Sequence, residues 1–159
     1  MRQGQQSYSM KKLKLDMNFV PCPVADEDEL YENGFFVFNI TKMIEYVRGN
    51  ADKMLVEDVA VDDLPEKTSS INWSHVETTD VSLPIILAEI APGRYNVIDG
   101  NHRVEKARKM GIPKVPAYRL TIPQHVRFLI SKEAYVSYVA YVNGKLEDAE
   151  RYGDGRGMR

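Results

Sequence analysis

Asn96-Val97-Ile98-Asp99-Gly100-Asn101-His102-Arg103-Val104-Glu105-Lys106-Ala107-Arg108-Lys109-Met110-Gly111 is the stretch on which the fold of this chain turns. A short apolar run leads into an Asp-Gly turn, and a helix closed by Gly111 follows, with Val104, Ala107 and Met110 spaced to face a core. Gly100 suits the turn because glycine adopts a left-handed backbone at least cost. Asp99 and Asn101 have an ordinary reading as turn and N-cap residues. His102 and Arg103 gain nothing structurally from their position, since cations oppose the positive end of the helix macrodipole. An anion seated between them and the first backbone N–H groups of the helix would explain the placement. Surface residues with no ligand are the alternative.

Working outward, Leu83-Pro84-Ile85-Ile86-Leu87-Ala88-Glu89-Ile90 reads as a strand begun by proline. Ala91-Pro92-Gly93 turns the chain into Arg94–Ile98, which predicts a β-hairpin. Beyond the helix, Pro113 marks its end and Val115–Leu120 predicts a further strand. Pro123 fits the first turn of a helix carrying Val126, Phe128 and Leu129, and a last helix is expected over Glu133–Val142, stopped by Asn143-Gly144.

Toward the N-terminus, Leu55–Val61 predicts a strand with Val59 and Val61 on one side. The stretch 62–80 has no clear period and is expected to be a long connection, anchored by Trp73, with His75 lacking the spacing of a metal ligand. Phe35-Phe36-Val37-Phe38 is a short apolar run, and Asn39 is a candidate N-cap for a helix placing Ile40, Met43, Ile44 and Val47 on one face and ending at Gly49-Asn50. The acidic run Asp26–Glu29 reads as a solvated loop. In Leu13-Lys14-Leu15-Asp16-Met17-Asn18-Phe19 apolar and polar residues alternate, the period of a half-buried strand. Residues 1–12 are expected to be a flexible tail and 152–159 a disordered one, leaving 13–151 as a single domain.

The 159 residues allow one domain with a real core, and no internal repeat is present. One cysteine, Cys22, excludes an internal disulfide framework and fits a reducing cytoplasm. There is no run of about 18 apolar residues and no signal-peptide core, so a cytoplasmic protein with no membrane partner is expected. The net charge of −2 hides an asymmetry: residues 21–80 carry 14 acidic and 4 basic residues, whereas 94–119 carry 7 basic and 2 acidic. An anionic ligand would be drawn to the second segment. A small phosphate compound fits better than a long nucleic acid, which needs a broad basic face. Mutual pairing of the two segments is the alternative.

The run Val97-Ile98-Asp99-Gly100-Asn101-His102-Arg103 through Gly111, preceded by Leu83-Pro84-Ile85, resembles the ParB/sulfiredoxin superfamily, in particular its small stand-alone ParB-like members. The resemblance covers about residues 56–120, with Val61-Asp62-Asp63-Leu64 as the first strand and turn. It implies an α+β fold: a small mixed sheet with helices packed around it, extended by an N-terminal strand and helix and by C-terminal helices. It also implies that the loop and helix start hold the phosphates of a nucleotide, ATP or CTP, with Mg²⁺ as a companion. Gly100, Asn101, His102, Arg103 and Lys106 would be the phosphate contacts, and Asp99, His102 and Arg103 the candidate catalytic residues of a phosphotransferase or nucleotide hydrolase. Asp62 and Asp63 are further candidates for a base.

Departures from the family pattern narrow these expectations. Asn101 stands where sulfiredoxins carry their nucleophilic cysteine, and an amide cannot perform that attack. Partition proteins carry Glu-Arg-Arg after the glycine and continue into a helix-turn-helix domain, for which about 39 residues after Leu120 are too few. A DNA-binding or DNA-cleaving module is the alternative, with Lys106, Arg108, Lys109, Lys114 and Arg119 against phosphates. A second alternative is an interaction protein without chemistry, for which Tyr135, Tyr138 and Tyr141 offer aromatic area.

Overall fold

The computed structural model describes residues 10–34, 36–65 and 78–151. The expectations for Trp73, His75, most of the N-terminal tail and the C-terminal tail fall outside them. The architecture is mixed α and β, centred on a four-stranded mixed sheet. Its strands are β3 (Val56–Ala60), β6 (Lys114–Leu120), β4 (Ile85–Ala91) and β5 (Arg94–Asp99), in that spatial order. A separate hairpin joins β1 (Leu30–Asn33) to β2 (Phe36–Asn39). Four α-helices complete the described fold: α1 (Ile40–Gly49), α2 (Asn101–Lys109), α3 (Ile122–His125) and α4 (Lys132–Arg151).

β4 is the spine. All seven of its residues are buried, because it pairs antiparallel with β5, parallel with β6, and is covered on both faces. Ile86, Ala88 and Ile90 face one core with Phe38, Met43, Val47, Leu120, Tyr138 and Val142. Ile85 and Leu87 face a second core with Val59, Val61, Val104, Ala107, Val115 and Ala117. A strand buried on both faces reads as a continuous apolar run, which explains the absence of alternation in its sequence. Pro92 and Gly93, the latter at φ 75°, make the turn to β5.

Four expectations are corrected. Leu13–Phe19 is not a strand: its backbone finds side-chain partners on α4 instead of a neighbouring strand. Asn143 accepts from Leu13 N–H at 2.8 Å and donates to Leu13 O at 3.0 Å, and the Tyr135 hydroxyl accepts from Asp16 N–H at 2.7 Å. Phe19 then stacks on the Tyr135 ring with centroids 4.0 Å apart. The last helix does not stop at Asn143-Gly144 but runs to Arg151. A glycine inside a helix costs about 1 kcal/mol, whereas burying Val142 and Leu146 on either side contributes about 1.5–3 kcal/mol each, so burial wins.

Met110, the C-cap of α2, is 59% exposed rather than core-facing, although its N–H still bonds to Lys106 O at 2.9 Å. The acidic run 26–29 is more than a solvated loop. Asp28 accepts from Asn39 Nδ2 at 2.8 Å and from Ala25 N–H at 2.9 Å. The Asn39 amide first, and then the Ala25 N–H, hold the Asp28 carboxyl below the usual range. Glu29 offers its carbonyl to Ile40 and Thr41, so this run seats the start of α1.

Tyr135 and Tyr138 are buried, and the Tyr138 hydroxyl donates to Ile90 O, so this aromatic area belongs to the core rather than to a partner. Among the described residues no helix is long and apolar enough to cross a membrane.

Candidate anion site at the start of helix α2

The residues at the end of β5 and the start of α2 meet where the sequence places them. Gly100 occupies the N-cap position at φ 104°, a left-handed conformation. It is also crowded: a Cβ there would lie 2.6 Å from Ile85 Cγ2 and 2.9 Å from Arg103 Nη1. Only glycine combines this turn with so close an approach to β4. Having no side chain, it cannot cap α2, and no acidic residue stands in the first turn. The first intrahelical bond is Val104 N–H to Gly100 O at 3.0 Å. The N–H groups of Asn101, His102 and Arg103 therefore have no partner within the helix.

Asp99 lies at the centre of an ion-pair cluster. Its Oδ2 is 3.2 Å from Arg48 Nη2 and 3.9 Å from Arg103 Nη2. Arg48 comes from the last turn of α1 and is 68% exposed, while Asp99 and Arg103 are mostly covered. Sequence reasoning missed Arg48, because 51 positions separate it from Asp99 and only the packing of α1 beside β5 brings them together.

Two expected phosphate ligands also have structural work. Arg103 Nη1 donates to Pro84 O at 2.7 Å, and Lys106 Nζ donates to Thr79 O at 2.7 Å. Both side chains thus tether the segment that enters β4. The Asp80 carboxyl in that segment is held low by the Ser82 hydroxyl and N–H, with Lys106 and Arg103 adding to the effect. Among the described residues, Arg48, Arg103 and Lys106 face Asp80 and Asp99 here. His102 and Asn101 are half-buried on the first turn of α2.

The other basic residues of the segment divide. Arg108 clamps the turn after β3, donating to Val61 O and Leu64 O at 3.3 Å and pairing with the buried Glu105 at 3.3 Å. Arg119 pairs with Glu57 at 3.0 Å and lies over the Tyr95 ring at 4.8 Å. The acidic and basic segments therefore do pair with each other in part. Arg108 and Arg119 are engaged within the fold, whereas Lys109 and Lys114 are exposed. Asp62 and Asp63 sit exposed on a 3-10 turn that packs near α2, with no contact to Asp99 or Arg103 among the ion pairs described.

The described residues hold no group of three or more His, Cys, Asp or Glu side chains suited to a metal ion. Asp99 is the one carboxylate at the loop, and its Oδ2 already faces two arginines, so these residues do not build a protein cage for Mg²⁺. No protein-family model matches the chain, and no curated protein matches it.

Proposed function

We propose that the start of α2 binds the phosphate groups of a nucleotide, ATP or CTP, and that the chain is a ParB/sulfiredoxin-like domain built for this purpose. The observation that carries the reading is the left-handed Gly100 at the N-cap of α2, which brings no side chain of its own to the helix end, with Arg48 and Arg103 gathered on Asp99 beside it. An anion there would meet the positive end of the helix dipole and charge-assisted bonds from two arginines. Gly100 and Asn101 lie against the phosphate, with His102, Arg103 and Arg48 around it. Asp99 orients Arg48 and Arg103, and Lys106 holds the entering segment, one shell away. Mg²⁺ would arrive with the phosphates, as this ion commonly does. Support for the family comes from the strand, Asp-Gly turn and helix in family order on a small mixed sheet.

The inward engagement of Arg108 counts against a DNA-binding face, which needs exposed cations along a stripe. Calorimetry with ATP, CTP and inorganic pyrophosphate tests the proposal. Arg48→Gln is the clean variant, since its exposed guanidinium holds no backbone group together, unlike that of Arg103. Losing one charge-assisted contact of about 1.5–3 kcal/mol predicts at least about a tenfold weaker Kd, with the melting temperature unchanged. Wild-type protein that binds none of the three ligands overturns the reading.

A further inference from the structure

A second feature of the same molecule lies at the opposite end of β5. Tyr95 stands four residues before Asp99, about 13 Å of extended chain. There Lys53, Leu55, Glu57, Tyr95, Arg119 and Gln124 line an open groove of about 390 Å³. That volume is within the range of small-molecule sites.

Two cations, Lys53 and Arg119, stand in the groove against one carboxylate, Glu57. Arg119 is fixed from two directions, by Glu57 at its Nε and by the Tyr95 ring beneath it. A guanidinium held this way loses little freedom on meeting a ligand, and its remaining N–H groups form a planar donor edge. Burial first, and the buried Glu89 carboxylate next, push the Tyr95 hydroxyl above its usual range, so it stays a neutral phenol at ordinary pH.

Gln124 adds a second oriented donor. Its Oε1 accepts from Thr121 N–H at 2.8 Å and from the Thr121 hydroxyl at 3.0 Å. The capping of α3 thereby leaves Nε2 as the group that Gln124 presents. Lys53 brings a third donor. Leu55, 75% exposed, forms an apolar wall that the fold itself does not use.

We propose that this groove binds a small organic carboxylate with an apolar ring or chain. The carboxylate meets the Arg119 edge and the Gln124 amide, with Lys53 supplying long-range charge, and the apolar body lies against Leu55. Carboxylate geometry matches the planar arginine fork. The site is independent of the phosphate reading at α2, since none of its residues belongs to that cluster.

Titration of ¹⁵N-labelled full-length protein with benzoate tests it by amide chemical shifts. The expected result is saturable shifts over residues 53–57 and 119–124 with a Kd of about 1 mM. Neutral benzamide should bind at least about tenfold more weakly, because it cannot form the charge-assisted pair.

Gln124→Glu is the decisive variant, because glutamate keeps the acceptor that caps α3 while replacing the donor with a negative charge. It should weaken benzoate binding at least about tenfold and leave the thermal melt unchanged. Leu55→Ser, a surface change, should weaken benzoate but not acetate. The proposal is overturned by an absence of saturable shifts up to about 20 mM, by equal affinity for benzamide, by Gln124→Glu binding benzoate as tightly as wild type, or by shifts centred on residues 99–103. That last pattern would place the anion at the α2 site and leave the nucleotide reading untouched.

Discussion

The starts of α1 and α2 face the same physical demand and meet it in opposite ways. At α1 every early donor has a partner from the chain itself. Glu29 O accepts from Ile40 and Thr41, Asn39 Oδ1 accepts from Lys42 N–H at 3.0 Å, and the Thr41 hydroxyl accepts from Glu29 N–H at 2.8 Å. At α2 the N-cap is a glycine with no side chain to offer, and cations stand where anions would normally be placed. The first helix takes its cap from a side chain at the N-cap itself, and the second has none to take there. Glycine in place of a capping side chain forgoes only a few tenths of a kcal/mol, a cost that a bound anion would offset.

Gly100→Ala attacks the open end most severely. The left-handed backbone and the 2.6 Å approach to Ile85 Cγ2 both resist a side chain. A loss of about 2–4 kcal/mol is expected by denaturant unfolding. Gly111→Ala is the control: it has the same sign of φ but open space around the added methyl, so it should lose about 1–2 kcal/mol less. Equal losses would show that backbone conformation alone, without the close packing on β4, requires glycine at position 100.

Asn39→Ala attacks the closed end. Asn39 is fully buried and also donates to Pro23 O and Asp28 Oδ2, so its removal takes away the cap and strands two acceptors. About 2 kcal/mol should be lost, with nucleotide affinity unchanged. A change in affinity would mean that the two helix starts are coupled, for instance through Arg48 at the far end of α1.

A third helix start adds a pH dependence. Ile122 N–H at the head of α3 is held by Oε1 of the buried Glu89, whose carbonyl is met by His125 Nε2 at the other end of the helix. His125 Nδ1 has no partner among the described residues, and burial pushes the imidazole below its ordinary value of 6.5. The sign follows directly: below 6.5 the unfolded chain takes up a proton that the folded chain resists. Stability is therefore fully present above that value and falls as pH drops toward the lowered folded-state value. Urea midpoints from pH 7.5 down should show this loss, and His125→Gln should flatten it.

The smallest expected effect is the most discriminating. Asn101→Asp places an acid in the first turn of α2 and should stabilise the free protein by about 0.5 kcal/mol through the dipole. It should also weaken pyrophosphate binding several-fold, because the new carboxylate competes for the same field. Stabilisation without loss of binding would separate the ligand from the helix end.

Much of this was legible in local sequence. Asn39 announced α1, Pro92-Gly93 announced the hairpin, and Asp99-Gly100 announced the strand-to-helix turn, because caps and turns are written in a few adjacent residues. Alternation in Leu13–Phe19 misled, since a period-2 pattern says that alternate residues differ, not that a strand waits beside them. The stop expected at Asn143-Gly144 failed for a related reason. Leu146 anchors the continuation to Arg151 and Asn143 holds Leu13, and neither contact has a local signature.

By itself, then, the sequence determined the helix starts and turns, the glycine of the turn at position 100 and the cations that follow it, whereas the structure put the N-cap of α2 on Gly100 and made Asn101 its first helical residue. The tertiary structure decided which charges meet. Arg48 joins Asp99 from 51 positions away, Arg108 and Arg119 are drawn into the fold, and Arg103 and Lys106 double as tethers. Backbone capping depends on neighbours a few residues apart, whereas an ion pair depends on which elements the hydrophobic core packs side by side.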